Sequence, residues 1–229
     1  MLVFVPGFMQ RADAWADAAR IVGERYPWRC VDFATHTLDE RIAELRDGVD
    51  ATDVVAGYSL GGRLALHAVL RGLRPRALIL VGCSAGIDDA AERAAHREAD
   101  ERFATWMEGA TAEQVVARWE SNPVFSTQPP ALIERQRPGR LSHQPRQLAT
   151  LLRTAGQGAM AQVWDELPKL ALPVLAIAGE CDATYVDAAR RMAALLPNGE
   201  ARVIAGAGHA PQLERPAETA RAILDFVAA

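Results

Sequence analysis

Residues 53–71 read DVVAGYSLGGRLALHAVLR, an apolar run followed by a glycine-rich turn and a helical pattern. Residues 53–56 predict a buried strand, and residues 61–71 predict a helix. Between them lies Gly57-Tyr58-Ser59-Leu60-Gly61, a G-x-S-x-G motif for which the composition gives roughly 0.03 chance matches in this chain. Because a sharp strand-to-helix turn requires small residues two before and two after its centre, the motif predicts that Ser59 projects above the sheet as a nucleophile.

Short apolar runs alternate with helical patterns on both sides of this stretch. Continuous apolar runs are typical of strands covered on both faces, so an α/β fold with a parallel sheet is predicted. The predicted strands are 2–5, 30–33, 53–56, 77–81, 174–178 and 202–205, and helices are expected at 12–25, 38–49 and 61–71.

Residues 86–167 break this alternation, because they contain no convincing strand. We expect an all-helical insertion that covers the carboxyl ends of the strands as a lid, within one domain of residues 1–229. Helices are predicted at 87–107, 113–120 and 148–154, separated by proline-containing breaks at 122–123, 129–130 and 137–139.

The composition excludes several classes of protein. The 229 residues carry a net charge of −4, which argues against a general nucleic-acid or anionic-membrane binder. No apolar run reaches the about 20 residues that a membrane span requires, and the N-terminal run lacks the features of a signal peptide, so a cytoplasmic protein is predicted. The three cysteines fit neither a disulfide framework nor a metal site, and no metal is expected.

A serine hydroxyl becomes a strong nucleophile or base only beside a histidine that an acid orients. His209 follows the last predicted strand in the loop Gly206-Ala207-Gly208-His209. Asp182 follows the strand before it and is the predicted acid, with Glu180 as the fallback. The chain order Ser59, Asp182, His209 is that of α/β-hydrolases.

Developing negative charge requires preorganised N–H donors. The residue after the nucleophile, Leu60, supplies one predicted donor. The second is the N–H of Phe8, in the loop after the first strand, where Gly7 permits a close approach of the backbone.

At these residues the chain resembles the α/β-hydrolase superfamily and, within it, the 2-succinyl-6-hydroxy-2,4-cyclohexadiene-1-carboxylate synthases, which eliminate pyruvate in menaquinone biosynthesis. The resemblance extends over nearly the whole length. The segments that carry it are residues 57–63, the run Glu92-Arg93-Ala94-Ala95-His96-Arg97, Trp119 ahead of Asn122-Pro123-Val124-Phe125, and Arg140.

The resemblance implies an α/β-hydrolase fold of six parallel strands in the spatial order second, first, third, fourth, fifth, sixth. It also implies a substrate pocket lined by Tyr58, Arg63, Trp119 and Arg140. The family has an arginine where this chain has His96, and Arg97 follows at once, so both are further candidates for contact with an anionic small-molecule substrate. Neither a metal nor an organic cofactor is implied.

Two other functions fit the same motifs. A serine hydrolase (carboxylesterase, thioesterase or C–C hydrolase) would use the same three residues through an acyl-enzyme. A non-catalytic receptor on this scaffold would not need all three. The oligomeric state is not indicated by the sequence.

Overall fold

A parallel sheet of six strands forms the centre of the molecule in the computed structural model, which describes residues 1–228. The spatial order is β2-β1-β3-β4-β5-β6, so the predicted order is confirmed. The strands are β1 (Leu2–Val5), β2 (Trp28–Cys30), β3 (Val54–Tyr58), β4 (Ala77–Val81), β5 (Val174–Gly179) and β6 (Gly199–Ile204).

Helices cover both faces of the sheet, which explains why the four central strands are buried along their whole length. The helices outside residues 86–167 are α1 (Ala16–Val22), α2 (Leu38–Gly48), α3 (Leu60–Leu70), α8 (Ala183–Leu195), α9 (Pro211–Glu214) and α10 (Pro216–Ala228). Helices α1 and α10 pack on one face, whereas α2, α3 and α8 pack on the other.

The predicted helical insertion lies between β4 and β5. It contains α4 (Ala90–Glu108), α5 (Ala112–Glu120), α6 (Pro130–Leu141) and α7 (Pro145–Ala155), and residues 86–167 include no strand. Its helices share a small apolar core of their own, built from Ala104, Met107, Val115, Val116, Leu148, Ala149 and Leu152, and Met9 of the β1 loop joins this core. The insertion therefore packs directly on the loop that follows β1.

The break predicted at residues 137–139 is wrong, because α6 continues through Pro138 to Leu141. Proline removes one N–H from the helical ladder, which normally disfavours a helix interior. Here Arg137 and Arg140, on either side of Pro138, both form ion pairs with Glu120 of α5. These tertiary contacts outweigh the local cost of the proline.

The edge strand β2 also lies earlier than predicted, at Trp28–Cys30 instead of 30–33. Residues 31–33 still pack in the apolar core through Val31 and Phe33, but they run beyond the last pairing with β1 at Cys30. Among residues 1–228, no helix combines the length and the apolar character that crossing a membrane requires.

Candidate active site

Ser59 sits at a strained turn between β3 and α3. Its φ of 50° and ψ of −113° place it in the left-handed half of conformational space, which a non-glycine residue rarely occupies. The turn requires glycine on both sides. A Cβ on Gly57 would lie 2.5 Å from the carbonyl oxygen of Gly61, and a Cβ on Gly61 would collide with the carbonyl oxygen of Val5. The small residues that the motif predicts are therefore a packing requirement.

Ser59, His209 and Asp182 lie in one hydrogen-bonded chain. The His209 Nε2 atom is 3.3 Å from the Ser59 Oγ, and the His209 Nδ1 atom is 2.8 Å from the Asp182 Oδ2. Asp182 follows β5, and His209 follows the neighbouring strand β6. Ser59 follows β3, so all three residues lie at the carboxyl ends of strands. This arrangement allows His209 to accept a proton from Ser59 while Asp182 holds the imidazole in place.

Glu180, the fallback acid, has a different partner. Its Oε2 accepts the Gly206 N–H at 2.9 Å, so it stabilises the loop after β6 and does not contact the imidazole. The geometry therefore favours Asp182 as the orienting acid.

Glu214 of α9 fixes the loop that carries His209. One carboxylate oxygen accepts the Gly208 N–H at 2.7 Å, and the other accepts the Ala210 N–H at 3.1 Å. A carboxylate can accept both bonds, because it has two acceptor oxygens and no donor. Glu214 therefore positions the backbone on both sides of His209.

We expect Glu214→Gln to lower kcat by about tenfold and to leave KM nearly unchanged. The amide keeps one acceptor but turns an NH₂ group toward the second N–H, which costs about 1–3 kcal/mol for the unsatisfied donor. Steady-state kinetics on the purified variant measures the split between kcat and KM. A rise in KM at constant kcat would show instead that Glu214 shapes the substrate pocket.

The loop after β1 approaches Ser59 from the other side. Gly7 packs so closely on Tyr58 that a Cβ at position 7 would lie 2.8 Å from its ring, and the Gly7 N–H donates to the Gln10 side chain at 3.1 Å. Leu60 is the first residue of α3, so its N–H has no hydrogen-bond acceptor within the helix. Within residues 1–228 the N–H of Phe8 has no backbone acceptor, and both predicted donors remain free for a ligand oxygen.

A cavity of about 370 Å³ lies above Ser59, between the sheet and the helical insertion. Trp119 lies at the centre of its aromatic wall, with ring centroids 5.2 Å from Phe8 and 5.6 Å from Phe125. Of the residues predicted to contact substrate, this cavity brings together Tyr58, Arg63, His96, Trp119 and Arg140.

The half-buried Arg63 and the buried Arg140 of the cavity differ in their partners. Arg63 donates to the Ala155 carbonyl at 3.2 Å, and it forms no ion pair with any residue in the described part of the chain. Burial lowers the pKa of its guanidinium, which reflects poor solvation of the charge. Arg140, in contrast, pairs with Glu120 at 3.0 Å. Arg63 therefore has no carboxylate of residues 1–228 within ion-pair distance, although Asp100 lines the same cavity.

Arg97 is the one predicted substrate contact that the structure does not place in this cavity. Arg97 is exposed, lies outside the cavity and donates its Nε–H to the Gly158 carbonyl at 3.2 Å. His96 and Asp100 lie four residues apart on α4 and share the face that lines the cavity. Arg97 is rotated by about 100° from that face, so it fastens α4 to the loop that follows α7.

The polar residues Tyr185, Gln157 and Asp100 are among the cavity residues that were not predicted from the sequence. The Tyr185 ring packs against His209 in a tilted arrangement with a centroid distance of 4.6 Å, and its hydroxyl accepts a hydrogen bond from Gln157 at 3.0 Å. Asp100 lies near Arg63, and burial raises the pKa of its carboxyl. The position of Tyr185, three residues after Asp182 at a helix start, was a usable signal, whereas Gln157 and Asp100 offered none.

Other titratable groups near the turn are uncharged at neutral pH. Burial raises the pKa of the Cys83 thiol to about 12 and lowers the pKa of His67 to about 4. Neither side chain lines the cavity, and Cys83 packs against Gly62 as a small apolar residue. No cluster of three or more His, Cys, Asp or Glu side chains suited to a metal ion occurs in residues 1–228.

Comparison with known proteins gives consistent matches. A family model described as "Alpha/beta hydrolase family" matches residues 2–222. A 2-succinyl-6-hydroxy-2,4-cyclohexadiene-1-carboxylate synthase from Klebsiella pneumoniae is 29% identical, with 99% of this chain and 93% of its own length covered.

Solved structures agree with these matches. The structure of MenH from S. aureus has a TM-score of 0.93 and 30% identity, covering 99% of this chain and 92% of that one. A thermophilic esterase from Thermogutta terrifontis has a TM-score of 0.77 and 25% identity, covering 99% and 89% of the two chains. Because the family model spans nearly the whole sequence and the Klebsiella pneumoniae synthase aligns over 99% of this chain, the chain is an enzyme that belongs to the alpha/beta hydrolase family.

Proposed function

We propose that this enzyme is a 2-succinyl-6-hydroxy-2,4-cyclohexadiene-1-carboxylate synthase that forms its product by eliminating pyruvate. The observation that carries the proposal is the half-buried Arg63, which has no carboxylate of the described residues within ion-pair distance, in the same cavity as the Ser59–His209–Asp182 chain. A substrate with several carboxylates would supply the missing anion. The full-length similarity to the Klebsiella pneumoniae synthase supports the same conclusion.

The three hydrogen-bonded residues would act as a proton-abstracting unit. Ser59 Oγ takes a proton from the carbon next to a substrate carbonyl, and the serine's own proton passes to His209 Nε2 across the 3.3 Å contact. Asp182 stabilises the imidazolium that forms. The electrons of the C–H bond form the new double bond and the C–O bond breaks. The leaving group departs as the enolate of pyruvate, which takes up the proton held by His209 and becomes pyruvate, so no acyl-enzyme is required.

The free N–H groups of Phe8 and Leu60 would hold the enolate-like oxygen. Such donors act strongly in a cavity from which water is excluded, because their orientation is fixed before charge develops. We also propose that residues 86–167 serve as a lid, since α4, α5 and α6 contribute His96, Trp119 and Arg140 to the cavity above Ser59. In this role the insertion would exclude water while the anion forms.

A serine hydrolase is the second candidate. The same Ser59–His209–Asp182 geometry fits acyl transfer, and a structural neighbour at TM-score 0.77 is an esterase. The two functions differ in what they require of Arg63, because only the synthase must bind a polycarboxylate.

We therefore expect Arg63→Ala to lower kcat/KM for the synthase substrate by about 10–150-fold. This factor corresponds to about 1.5–3 kcal/mol for a lost charge-assisted hydrogen bond. Hydrolysis of the neutral ester p-nitrophenyl acetate should change little. Arg71→Ala is the matched control, since Arg71 follows the same helix, α3, and pairs with Asp39 at 2.5 Å on the surface. Equal losses on the two substrates would make Arg63 a structural residue and favour the hydrolase.

A further inference from the structure

A buried ion-pair cluster joins α5 to α6 at the rim of the cavity. The side chain of Arg140 is 2% exposed and that of Glu120 is 7% exposed, and their Nη1 and Oε1 atoms are 3.0 Å apart. The other oxygen of Glu120 lies 2.6 Å from the Nη2 atom of Arg137, whose side chain is 45% exposed. Glu120 thus bridges one buried and one exposed guanidinium.

This cluster lacks one acceptor. Two guanidiniums share the Glu120 carboxylate, and Arg137 also lies 3.7 Å from Glu134, so the formal charges of the four groups balance. The Nη2 of Arg140 donates to the Gln136 side chain at 3.1 Å, but its buried Nε has no acceptor within residues 1–228. A buried donor without a partner is costly, which indicates that a further acceptor belongs here.

The cluster is also in contact with the ligand space. Arg140 lines the cavity together with Ser59, and Trp119, the neighbour of Glu120, forms the centre of the aromatic wall. A ligand carboxylate that reaches Arg140 therefore contacts a guanidinium that is already paired with the Glu120 carboxylate.

We infer that Glu120 is a specificity-determining residue, a placeholder carboxylate that a ligand carboxylate displaces from Arg140 while Glu120 stays paired with Arg137. The identity of the full substrate rests on the proposed function, but the exchange of carboxylates does not. When the cavity is empty, Glu120 neutralises a guanidinium that would be costly to leave buried alone. When a ligand binds, Glu120 keeps its exposed partner.

Such an exchange favours ligands that carry a full negative charge at this position. An ester or amide oxygen can accept a hydrogen bond but cannot replace the charge of Glu120, so a neutral isostere leaves the pair closed. Glu120 is therefore displaced from Arg140 only by a ligand carboxylate, and a neutral ligand binds without contacting Arg140.

Calorimetric titration with succinate at low ionic strength tests the inference, with dimethyl succinate as the neutral control. Glu120→Gln keeps the shape and one acceptor but removes the competing charge, so the Kd of succinate should fall on the order of tenfold. Arg137→Gln removes the partner that retains Glu120, so the Kd should rise severalfold. Neither change should affect dimethyl succinate. In the Arg140→Ala background, the Glu120→Gln effect should disappear.

Weaker or unchanged succinate binding in folded Glu120→Gln would overturn the inference and make Glu120 a residue that only orients Arg140. If Glu120→Gln does not fold, Arg137→Gln decides, because that side chain is largely outside the core. Unchanged or tighter binding in that variant also contradicts the exchange. Since binding is measured without turnover, the inference stands even if the synthase substrate is not converted, and it can fail while synthase activity is present.

Discussion

Replacing Ser59 with alanine is expected to lower kcat on the synthase substrate by at least about 10³-fold, while the fold is retained. The hydroxyl oxygen is the group that accepts the substrate proton, and a positioned base alone accelerates a reaction by about 10²–10⁴-fold. Alanine also fits the strained turn no worse than serine, so circular dichroism and thermal melting should change little. The rate of pyruvate formation, coupled to lactate dehydrogenase and NADH, measures the loss.

The His209→Ala variant should lose nearly as much, and the double variant should lose little more than either single one. The reason is that Ser59 and His209 pass a proton between them across one contact of 3.3 Å, so neither functions without the other. If the activity losses of the two single variants multiplied in the double variant, the two side chains would act independently. That result would contradict the proposed relay.

The second large effect is expected for Asp182→Asn, which should lower kcat by about 10²–10⁴-fold. Asparagine preserves the shape, but its amide can donate to His209 Nδ1, which permits the wrong tautomer and removes the charge that stabilises the imidazolium. The 2.8 Å contact between Asp182 and His209 is the basis of this expectation.

Glu180→Gln is the matched control for Asp182→Asn. It makes the same chemical change two residues earlier, at a side chain that contacts the Gly206 backbone instead of the imidazole. The control should retain nearly full activity. If Glu180→Gln were the more damaging of the two, the acid would have been assigned to the wrong residue.

Most of the fold could be predicted from the sequence because its determinants are local. The turn at Ser59 is specified by glycines at positions 57 and 61 that no larger residue could replace, and the buried strands are continuous apolar runs. The same local logic located Asp182 and His209, since each follows a strand at the edge where the carboxyl ends meet.

The features that could not be predicted depend on long-range contacts. The helix through Pro138 is stabilised by Glu120, which lies in another helix. Arg97 points away from the cavity because of the way α4 is rotated about its axis. The residue spacing around Arg97 does not reveal that rotation. The sequence also did not reveal the partners of Arg63 and Arg140. Those partners distinguish the unpaired guanidinium of Arg63 from that of Arg140, which already pairs with a carboxylate.

Conversion of the synthase substrate by the unmodified enzyme tests the proposed function most directly. Pyruvate and the cyclohexadiene product should appear in equal amounts, with a kcat/KM far above that for p-nitrophenyl acetate or butyrate, and Ser59→Ala should abolish both. Rapid ester hydrolysis by the unmodified enzyme without any release of pyruvate would contradict the synthase and establish a serine hydrolase.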